Sequence, residues 1–156
     1  MKLIDLLFKP KIAYAHCDIP CGIYDPHNAQ MGAHTVIRMT QLISELEGDS
    51  HENEHKLARY TAVKEKHAEL VEKEVVTLWS DYFKEEHFKA NPNLTELVQQ
   101  ILKLTSKTRQ NIDKEASEEM LSKTQELAEI FYKTKNRESK RVKSVYPTEG
   151  EIVVLA

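Results

Sequence analysis

The sequence predicts an all-α fold, specifically an antiparallel four-helix bundle. Only four glycines and five prolines occur among its 156 residues, and 30% of the residues are charged. This composition favours helices over sheets, because glycine and proline interrupt helices and long charged side chains support them. Apolar residues recur every three or four positions in four segments that are joined by short connections. Four amphipathic helices with short loops are typical of an up-and-down bundle.

The first helix is predicted over about residues 27–47. Asp25 can cap its first turn, and Pro26 suits a position where the missing N–H would have no partner. Gly48 ends the helix, because glycine readily adopts the left-handed conformation of a helix end. The predicted buried stripe has helical spacing and consists of Val36, Met39, Ile43 and Leu46.

The second helix is predicted to be long, over about residues 51–88, because neither glycine nor proline occurs between Gly48 and Pro92. Asp49 or Ser50 can cap its start. We expect its broad apolar face to enter the core with Leu57, Tyr60, Val63, His67, Leu70, Val71, Val75, Leu78, Trp79 and Tyr82.

The last two helices are predicted over about residues 94–108, with Asn93 as the cap, and about residues 113–135. Both segments carry apolar stripes with helical spacing. The C-terminal tail, residues 137–156, is basic at first and ends in apolar residues. We expect this tail to be irregular and to dock on the helical body or on a neighbouring subunit.

The composition argues against several classes of partner. The net charge is only −3, and no basic stripe is interleaved with aromatic residues, so nucleic-acid binding is not indicated. No apolar run approaches the roughly 20 residues that a membrane-spanning helix needs. Two cysteines cannot build a disulfide framework for a chain of this size. We therefore expect neither nucleic acid nor a membrane among the partners.

Residues 1–15 are predicted to be a leader that is removed on maturation. Their last three residues, AYA, have the small-x-small pattern of a cleavage site. The apolar run from Leu3 to Phe8 is short for a secretory signal, however, and Asp5 interrupts it. We therefore expect a pro-segment removed in the cytoplasm, with secretion as the minority alternative and a plain N-terminal tail as a third interpretation.

Residues 16–26 concentrate metal-binding side chains. They hold both cysteines of the chain, Cys17 and Cys21, and His16 beside the first. A small-loop disulfide, a thiolate metal site and two incidental thiols are the three interpretations. Thiolates with imidazole select Zn, Cu, Ni or Fe, and a structural zinc site would need a second Cys/His pair at matching spacing, which the sequence lacks. If the chain began at His16, its amine and imidazole, the Cys17 amide and both thiolates would suit Ni(II) or Cu(II), which prefer tetragonal geometry.

These eleven residues, HCDIPCGIYDP, resemble the nickel hook of the nickel superoxide dismutases. Two further blocks resemble the same family, LWSDYFK at residues 78–84 and FYKTK at residues 131–135. The similarity covers roughly residues 16–137. It implies a four-helix bundle that assembles into a hexamer, and a leader whose removal makes His16 the N-terminus.

The resemblance also implies the site residues. The metal ligands would be the amine and imidazole of His16, the amide and thiolate of Cys17, and the thiolate of Cys21, which would hold one nickel ion per subunit. Tyr24 and Tyr82 match two active-site tyrosines of the family, which screen the metal and order nearby water and substrate.

Two positions depart from the family pattern. Gly32 stands where a glutamate often contacts the hook histidine, and His67 stands where some members have an arginine. Because His67 lies on an apolar stripe, it is more typical of a core histidine than of a ligand. We assign no role to His27, His34 or His87.

The predicted function is a nickel-dependent superoxide dismutase that converts superoxide to dioxygen and hydrogen peroxide by Ni(II)/Ni(III) cycling. Thiolate and deprotonated amide donors push electron density onto the metal and bring Ni(III) within reach. Lysines such as Lys84 would steer the anionic substrate or simply form a solvated helix face. The predicted partners are superoxide, further copies of the chain and a maturation protease. The alternative is a nickel or copper carrier that uses the same hook without turnover.

A second motif, HENEH at residues 51–55, matches the H-E-x-x-H signature of zinc proteases, in which two histidines bind the metal and the glutamate is the base. The motif lies at a predicted helix start, where the helix dipole favours acidic residues. A solvated helix start is therefore the better account, and a metal-dependent hydrolase is the weaker alternative.

Overall fold

The computed structural model describes residues 22–156. The predicted leader and the predicted ligands His16, Cys17 and Cys21 lie outside the described residues. The described chain is mostly helical, which confirms the predicted class. Its elements, in order, are α1 (His27–Ser44), α2 (His51–Thr77), a π-helical turn (Leu78–Tyr82), α3 (Glu85–Ala90), α4 (Leu94–Gln110), α5 (Lys114–Thr134), β1 (Ser139–Lys143) and β2 (Glu151–Leu155).

The four long helices surround one core. Helix α1 packs against α2 and α5, and α4 packs against the same two helices. Each long helix contributes residues that are completely buried, such as Val36, Val75, Ile101 and Met120. Most of the predicted apolar stripes therefore face the interior, and all four predicted long helices are present. Within the part of the chain that the structure describes, no helix is long and apolar enough to cross a membrane.

Two of the predicted capping residues hold helix starts. Oδ1 of Asp25 accepts a hydrogen bond from the N–H of His27 at 2.7 Å. Oγ of Ser50 accepts from the N–H of Asn53 at 3.2 Å. Asn93 precedes α4 but makes no side-chain capping bond there. Local signals thus place the starts of α1 and α2 correctly.

The second helix does not continue to residue 88, so that part of the prediction is wrong. It ends at Thr77, and in the π-helical turn that follows the N–H of Phe83 bonds to the carbonyl of Leu78 at 2.9 Å. The wider turn allows Tyr82 and Phe83, neighbours in sequence, both to be buried. Trp79 and Leu57, which the sequence places in the core, are instead 40% and 42% exposed. Turns of this kind are frequent at functional sites.

One charged side chain lies inside the helical body. Lys64 of α2 is 2% exposed, and its ammonium donates hydrogen bonds to the carbonyls of Thr108, Arg109 and Asn111 at the end of α4. A cation suits this place, because unpaired carbonyls give a helix C-terminus a partial negative charge. Burial lowers the pKa of Lys64, against the opposing effect of the Glu65 carboxylate. Lys64 thus joins α2 to the end of α4.

The C-terminal segment forms a β-hairpin, and the prediction of an irregular tail is wrong. Strands β1 and β2 are antiparallel, with Ser139 opposite Leu155 and Lys143 opposite Glu151. Strand β2 lies on α1 and α5, and its central Val153 is 1% exposed. The predicted docking on the helical body is therefore confirmed. The basic sequence of β1 gives little strand signal, and the helices on which the hairpin docks are distant from it in sequence.

Polar side chains of α1 hold the hairpin in place. Oε1 of Gln30 accepts a hydrogen bond from the N–H of Val153 at 2.7 Å, and Nε2 of Gln30 donates to the Val153 carbonyl at 3.0 Å. His34 Nδ1 lies 2.8 Å from Oγ1 of Thr148, and Nε2 lies 2.9 Å from the carbonyl oxygen of Glu151. Since a carbonyl only accepts, Nε2 carries the proton and Nδ1 accepts from the threonine.

His34 therefore has a structural role that the sequence did not reveal. Its side chain is 3% exposed. Burial lowers the pKa of His34, although the hydrogen bond to the Glu151 carbonyl opposes the shift. A Cβ atom at Gly150 would lie 2.8 Å from Cε1 of His34, so only glycine lets the hairpin turn approach the imidazole this closely.

Candidate metal centre

A cavity of about 420 Å³ lies where the chain approaches α1 from its N-terminal side. Gly22 lines this cavity on one side. The π-helical turn, α3 and the end of α5 supply the other walls. The side chains that line it include Tyr24, Tyr82, Lys84, His87, Thr134 and Lys135.

Tyr82 lies at the centre of an aromatic cluster beside this cavity. Its side chain is 9% exposed, and its ring centroid lies 5.4 Å from that of Tyr24 and 4.7 Å from that of Phe131. The imidazole of His87 stacks on the same ring at 5.5 Å with an interplanar angle of 18°. Nζ of Lys135 lies 4.7 Å from the Tyr82 centroid, within the range of a cation–π contact. The structure thus brings together the two tyrosines that the sequence singled out.

His87 is a neighbour of the site that sequence reasoning missed. The break in the helix at Phe83 turns α3 back so that His87 reaches Tyr82, and a continuous helix would not have produced this contact. Nδ1 of His87 accepts a hydrogen bond from the backbone N–H of Lys84 at 3.1 Å. Its position depends on the π-helical turn, which the sequence did not signal.

The predicted metal ligands stand immediately before this cavity in sequence. Gly22 directly follows Cys21, and its φ of +101° is a conformation that favours glycine. Among residues 22–156, no group of three or more His, Cys, Asp or Glu side chains is arranged to hold a metal ion. The metal ligands that the sequence predicts, His16, Cys17 and Cys21, precede Gly22 in sequence and lie outside the described residues.

The two departures from the family pattern lie at the contact of α1 with α2. A Cβ atom at Gly32 would lie 2.9 Å from Cγ2 of Val71 and 3.1 Å from the carbonyl oxygen of His67. Glycine at residue 32 therefore allows the two helices to approach closely. Nδ1 of His67 lies 2.8 Å from the carbonyl oxygen of Val63 in its own helix. Neither Gly32 nor His67 lines the cavity beside Tyr82.

The H-E-x-x-H motif occupies the first turn of α2. The side chain of His51 is fully exposed and lies 3.2 Å from the Glu54 carboxylate. Glu52 pairs with Lys56 at 2.6 Å, and this hydrogen bond lowers the pKa of the Glu52 carboxyl. The glutamate is thus held by a lysine as part of a solvated helix start.

The fold and the cavity define a helical protein with an aromatic-walled site next to a cysteine-containing N-terminal segment. The sequence profile of the family described as nickel-containing superoxide dismutase matches residues 11–135. The chain is 36% identical over 134 residues to a nickel superoxide dismutase of Streptomyces coelicolor, which covers 85% of this chain and 98% of that protein. It is 34% identical over 134 residues to the same enzyme of Streptomyces seoulensis.

Solved structures agree with these sequence relatives. A native nickel superoxide dismutase structure superposes with a TM-score of 0.69 at 36% identity, covering 78% of this chain and 99% of that one. The chain belongs to the nickel-containing superoxide dismutase family. Membership confirms the predicted resemblance and the predicted enzyme class, superoxide dismutase, which is an oxidoreductase. It also confirms nickel as the metal of the family. The match ends at residue 135, so the hairpin lies beyond it.

Proposed function

We propose that this chain is a nickel-dependent superoxide dismutase that converts superoxide to dioxygen and hydrogen peroxide after cleavage before His16. The observation that carries the proposal is the meeting of Tyr24 and Tyr82 at a cavity lined by Gly22. That glycine directly follows the HCDIPC segment. A redox-active metal needs such a shielded site beside its ligands. A protein that only carries the metal does not need one.

The donor set fits nickel. The amine and imidazole of His16, the amide and thiolate of Cys17 and the thiolate of Cys21 would hold one ion per subunit, because sulfur and nitrogen donors select this kind of metal. When bound, nickel supplies the one-electron chemistry by alternating between Ni(II) and Ni(III).

The chain's own residues would shield the metal site and attract the substrate to it. Tyr24 and Tyr82 wall the cavity and order water or substrate in it. Such shielding matters, because thiolates exposed to peroxide are oxidised to sulfenic and sulfinic acids. Lys84 and Lys135 line the same cavity together with Asp81 and Glu86, and the two ammonium groups would provide the positive charge that attracts the superoxide anion.

Maturation would create the metal site. While Ala15 is attached, the nitrogen of His16 is an amide, which is a poor ligand at neutral pH. We infer that residues 1–15 are a pro-segment, that a protease removes them and that the enzyme works in the cytoplasm. We also infer that residues 27–136 form an antiparallel four-helix bundle and that the mature chains assemble into a hexamer.

The decisive experiment uses the chain beginning at His16, loaded with nickel. We expect it to consume superoxide in a stopped-flow assay with about one nickel bound per chain. His16→Gln and Cys21→Ser should each lose most of the activity, whereas His27→Gln, a change at an exposed histidine at the start of α1, should not. Tight nickel binding with no superoxide consumption would favour the carrier instead.

A parallel measurement tests the pro-segment. The chain that still carries residues 1–15, verified by mass spectrometry, should bind nickel weakly and be nearly inactive. Full activity with the leader intact would contradict this part of the proposal. Sedimentation of the mature nickel-loaded protein reports whether six copies assemble.

A further inference from the structure

Two short hydrogen bonds link Tyr82 to the end of α5. The phenolic oxygen of Tyr82 lies 2.7 Å from Oγ1 of Thr134. The same Oγ1 lies 2.7 Å from the carbonyl oxygen of Phe131. A carbonyl can only accept, so the single proton of the Thr134 hydroxyl is donated to Phe131. The Tyr82 hydroxyl must therefore be the donor to Thr134.

We propose that Thr134 is a positioning residue that fixes the direction of the Tyr82 phenolic proton, so that Tyr82 presents an acceptor lone pair to the cavity. The inference rests on the proposed function, because it assigns how Tyr82 would act in that site. Tyr82 and Thr134 belong to the two blocks LWSDYFK and FYKTK, but the sequence does not indicate their contact, since the two residues are far apart along the chain.

The surroundings leave this arrangement little freedom. The Tyr82 ring is packed among Tyr24, Phe131 and His87. At the end of α5, Asn136 has a positive φ of 55°, and the N–H of Arg137 bonds to the carbonyl of Tyr132 at 3.0 Å. These backbone bonds fix the last turn of the helix, which carries Thr134, against the ring.

The direction of the proton has a chemical consequence. Superoxide is an anion without a proton, so it accepts hydrogen bonds and cannot donate them. Because the Tyr82 proton is committed to Thr134, Tyr82 does not donate to the anion. It instead accepts from a water molecule or another donor, and that donor contacts the substrate. Lys135, directly after α5, lines the same cavity and places its ammonium 4.7 Å from the Tyr82 ring centroid.

Replacing Thr134 by valine tests the proposal, because valine keeps the shape of the side chain and removes the hydroxyl. Thr134→Ser retains the hydroxyl and should behave like the parent protein. Thr124→Val is the matched control, since Thr124 lies on the same helix, is buried and donates to the Met120 carbonyl at 2.8 Å. Thr134→Ala provides a second way to remove the hydroxyl if valine impairs folding.

The first measurement is independent of activity. In the full mature chain without nickel, proton NMR should show a slowly exchanging Tyr82 hydroxyl, identified as the signal that is absent from Tyr82→Phe. We expect this signal to be lost in Thr134→Val and Thr134→Ala and kept in Thr134→Ser and Thr124→Val. A signal that persists unchanged without the Thr134 hydroxyl would overturn the proposal.

The second measurement uses azide as an anion probe on the nickel-loaded protein. Freed from Thr134, the Tyr82 proton can point into the cavity, so azide should inhibit Thr134→Val more strongly, by roughly fivefold for one hydrogen bond. Equal azide inhibition of Thr134→Val and the parent protein would count against the proposal. A parent protein that binds nickel without activity would instead remove the proposed function, and the NMR result would still decide the role of Thr134.

Discussion

The cavity region and the C-terminal hairpin lie along the same helix, α5, but are held by different forces. At the cavity, Thr134 and Lys135 meet the aromatic cluster around Tyr82. Under the hairpin, Gln125 donates to the Glu151 carbonyl, and among the described residues the ring contact there is the single pair of Tyr146 and His34. The family match includes the first region and ends before the second.

This difference indicates how each region would respond to change. Several rings contact Tyr82, so the loss of one polar atom leaves its packing largely intact. The hairpin depends on a few side chains that bond directly to strand backbone, and each unmade bond leaves a buried group without a partner. Single polar substitutions should therefore destabilise the hairpin more than the cavity.

Removal of residues 138–156, which keeps Arg137 and its hydrogen bond to the Tyr132 carbonyl, should have the largest effect on stability. It returns Val153 and the apolar surface beneath it to water, while Gln30 and His34 regain solvent. We expect a loss of about 3–4 kcal/mol in the free energy of unfolding, which corresponds to a melting temperature lower by roughly 10 °C. Because the helical body and the cavity remain, nickel-dependent activity per folded chain should be retained. Loss of activity in the folded truncated protein would show that the two regions are coupled.

Gln30→Leu should lower the free energy of unfolding by less than the truncation does, because complete loss of the hairpin sets the upper limit for this effect. The substitution leaves the N–H and the carbonyl of Val153 without partners, and we expect a loss of about 2 kcal/mol. Gln41→Leu, at a half-buried glutamine on the same helix, is the matched control. Urea denaturation of both variants measures the difference, and equal stabilities would contradict the role given to Gln30.

His34 should make the hairpin sensitive to acid, with a smaller effect than Gln30→Leu. Burial lowers its pKa in the folded state, so the unfolded chain takes up the proton more readily. The stability that His34 contributes is therefore complete above its unfolded pKa of about 6.5 and is lost as the pH falls below that value.

Thermal unfolding at several pH values between 8 and 5 checks this prediction. The melting temperature of the parent protein should fall more steeply than that of His34→Gln. His55→Gln, at an exposed histidine, should follow the parent. Parallel curves for the parent and His34→Gln would rule out the proposed acid sensitivity.

Tyr82→Phe should have the smallest effect on stability. It removes the hydrogen bond to Thr134 and keeps the ring contacts, so we expect a loss of about 0.5–1 kcal/mol. Superoxide turnover by the nickel-loaded protein should nevertheless fall, because the hydroxyl faces the cavity. Tyr60→Phe, at a half-buried tyrosine of α2 outside the cavity, serves as the control for both measurements.

The helices and the donor set could be predicted because both depend on local pattern. The spacing of residues such as Val36 and Ile43 places α1, and Asp25 marks its start. The π-helical turn was missed, because it depends on the packing of both Tyr82 and Phe83 into the core. The local sequence alone does not distinguish it from a regular helix. Gln30 and His34 were missed for a related reason: an isolated polar residue on a helix carries no sign of a distant partner.

By itself, then, the sequence determined the four long helices, the cluster of His16, Cys17 and Cys21, and the family to which the chain belongs. Only the tertiary structure decided that Tyr24 meets Tyr82 beside Gly22, that the Tyr82 hydroxyl is hydrogen-bonded to Thr134, and that the last residues form a docked hairpin. The physical reason is that these features rest on contacts between distant residues, as far apart as the 123 positions between Gln30 and Val153. Local spacing does not encode such contacts.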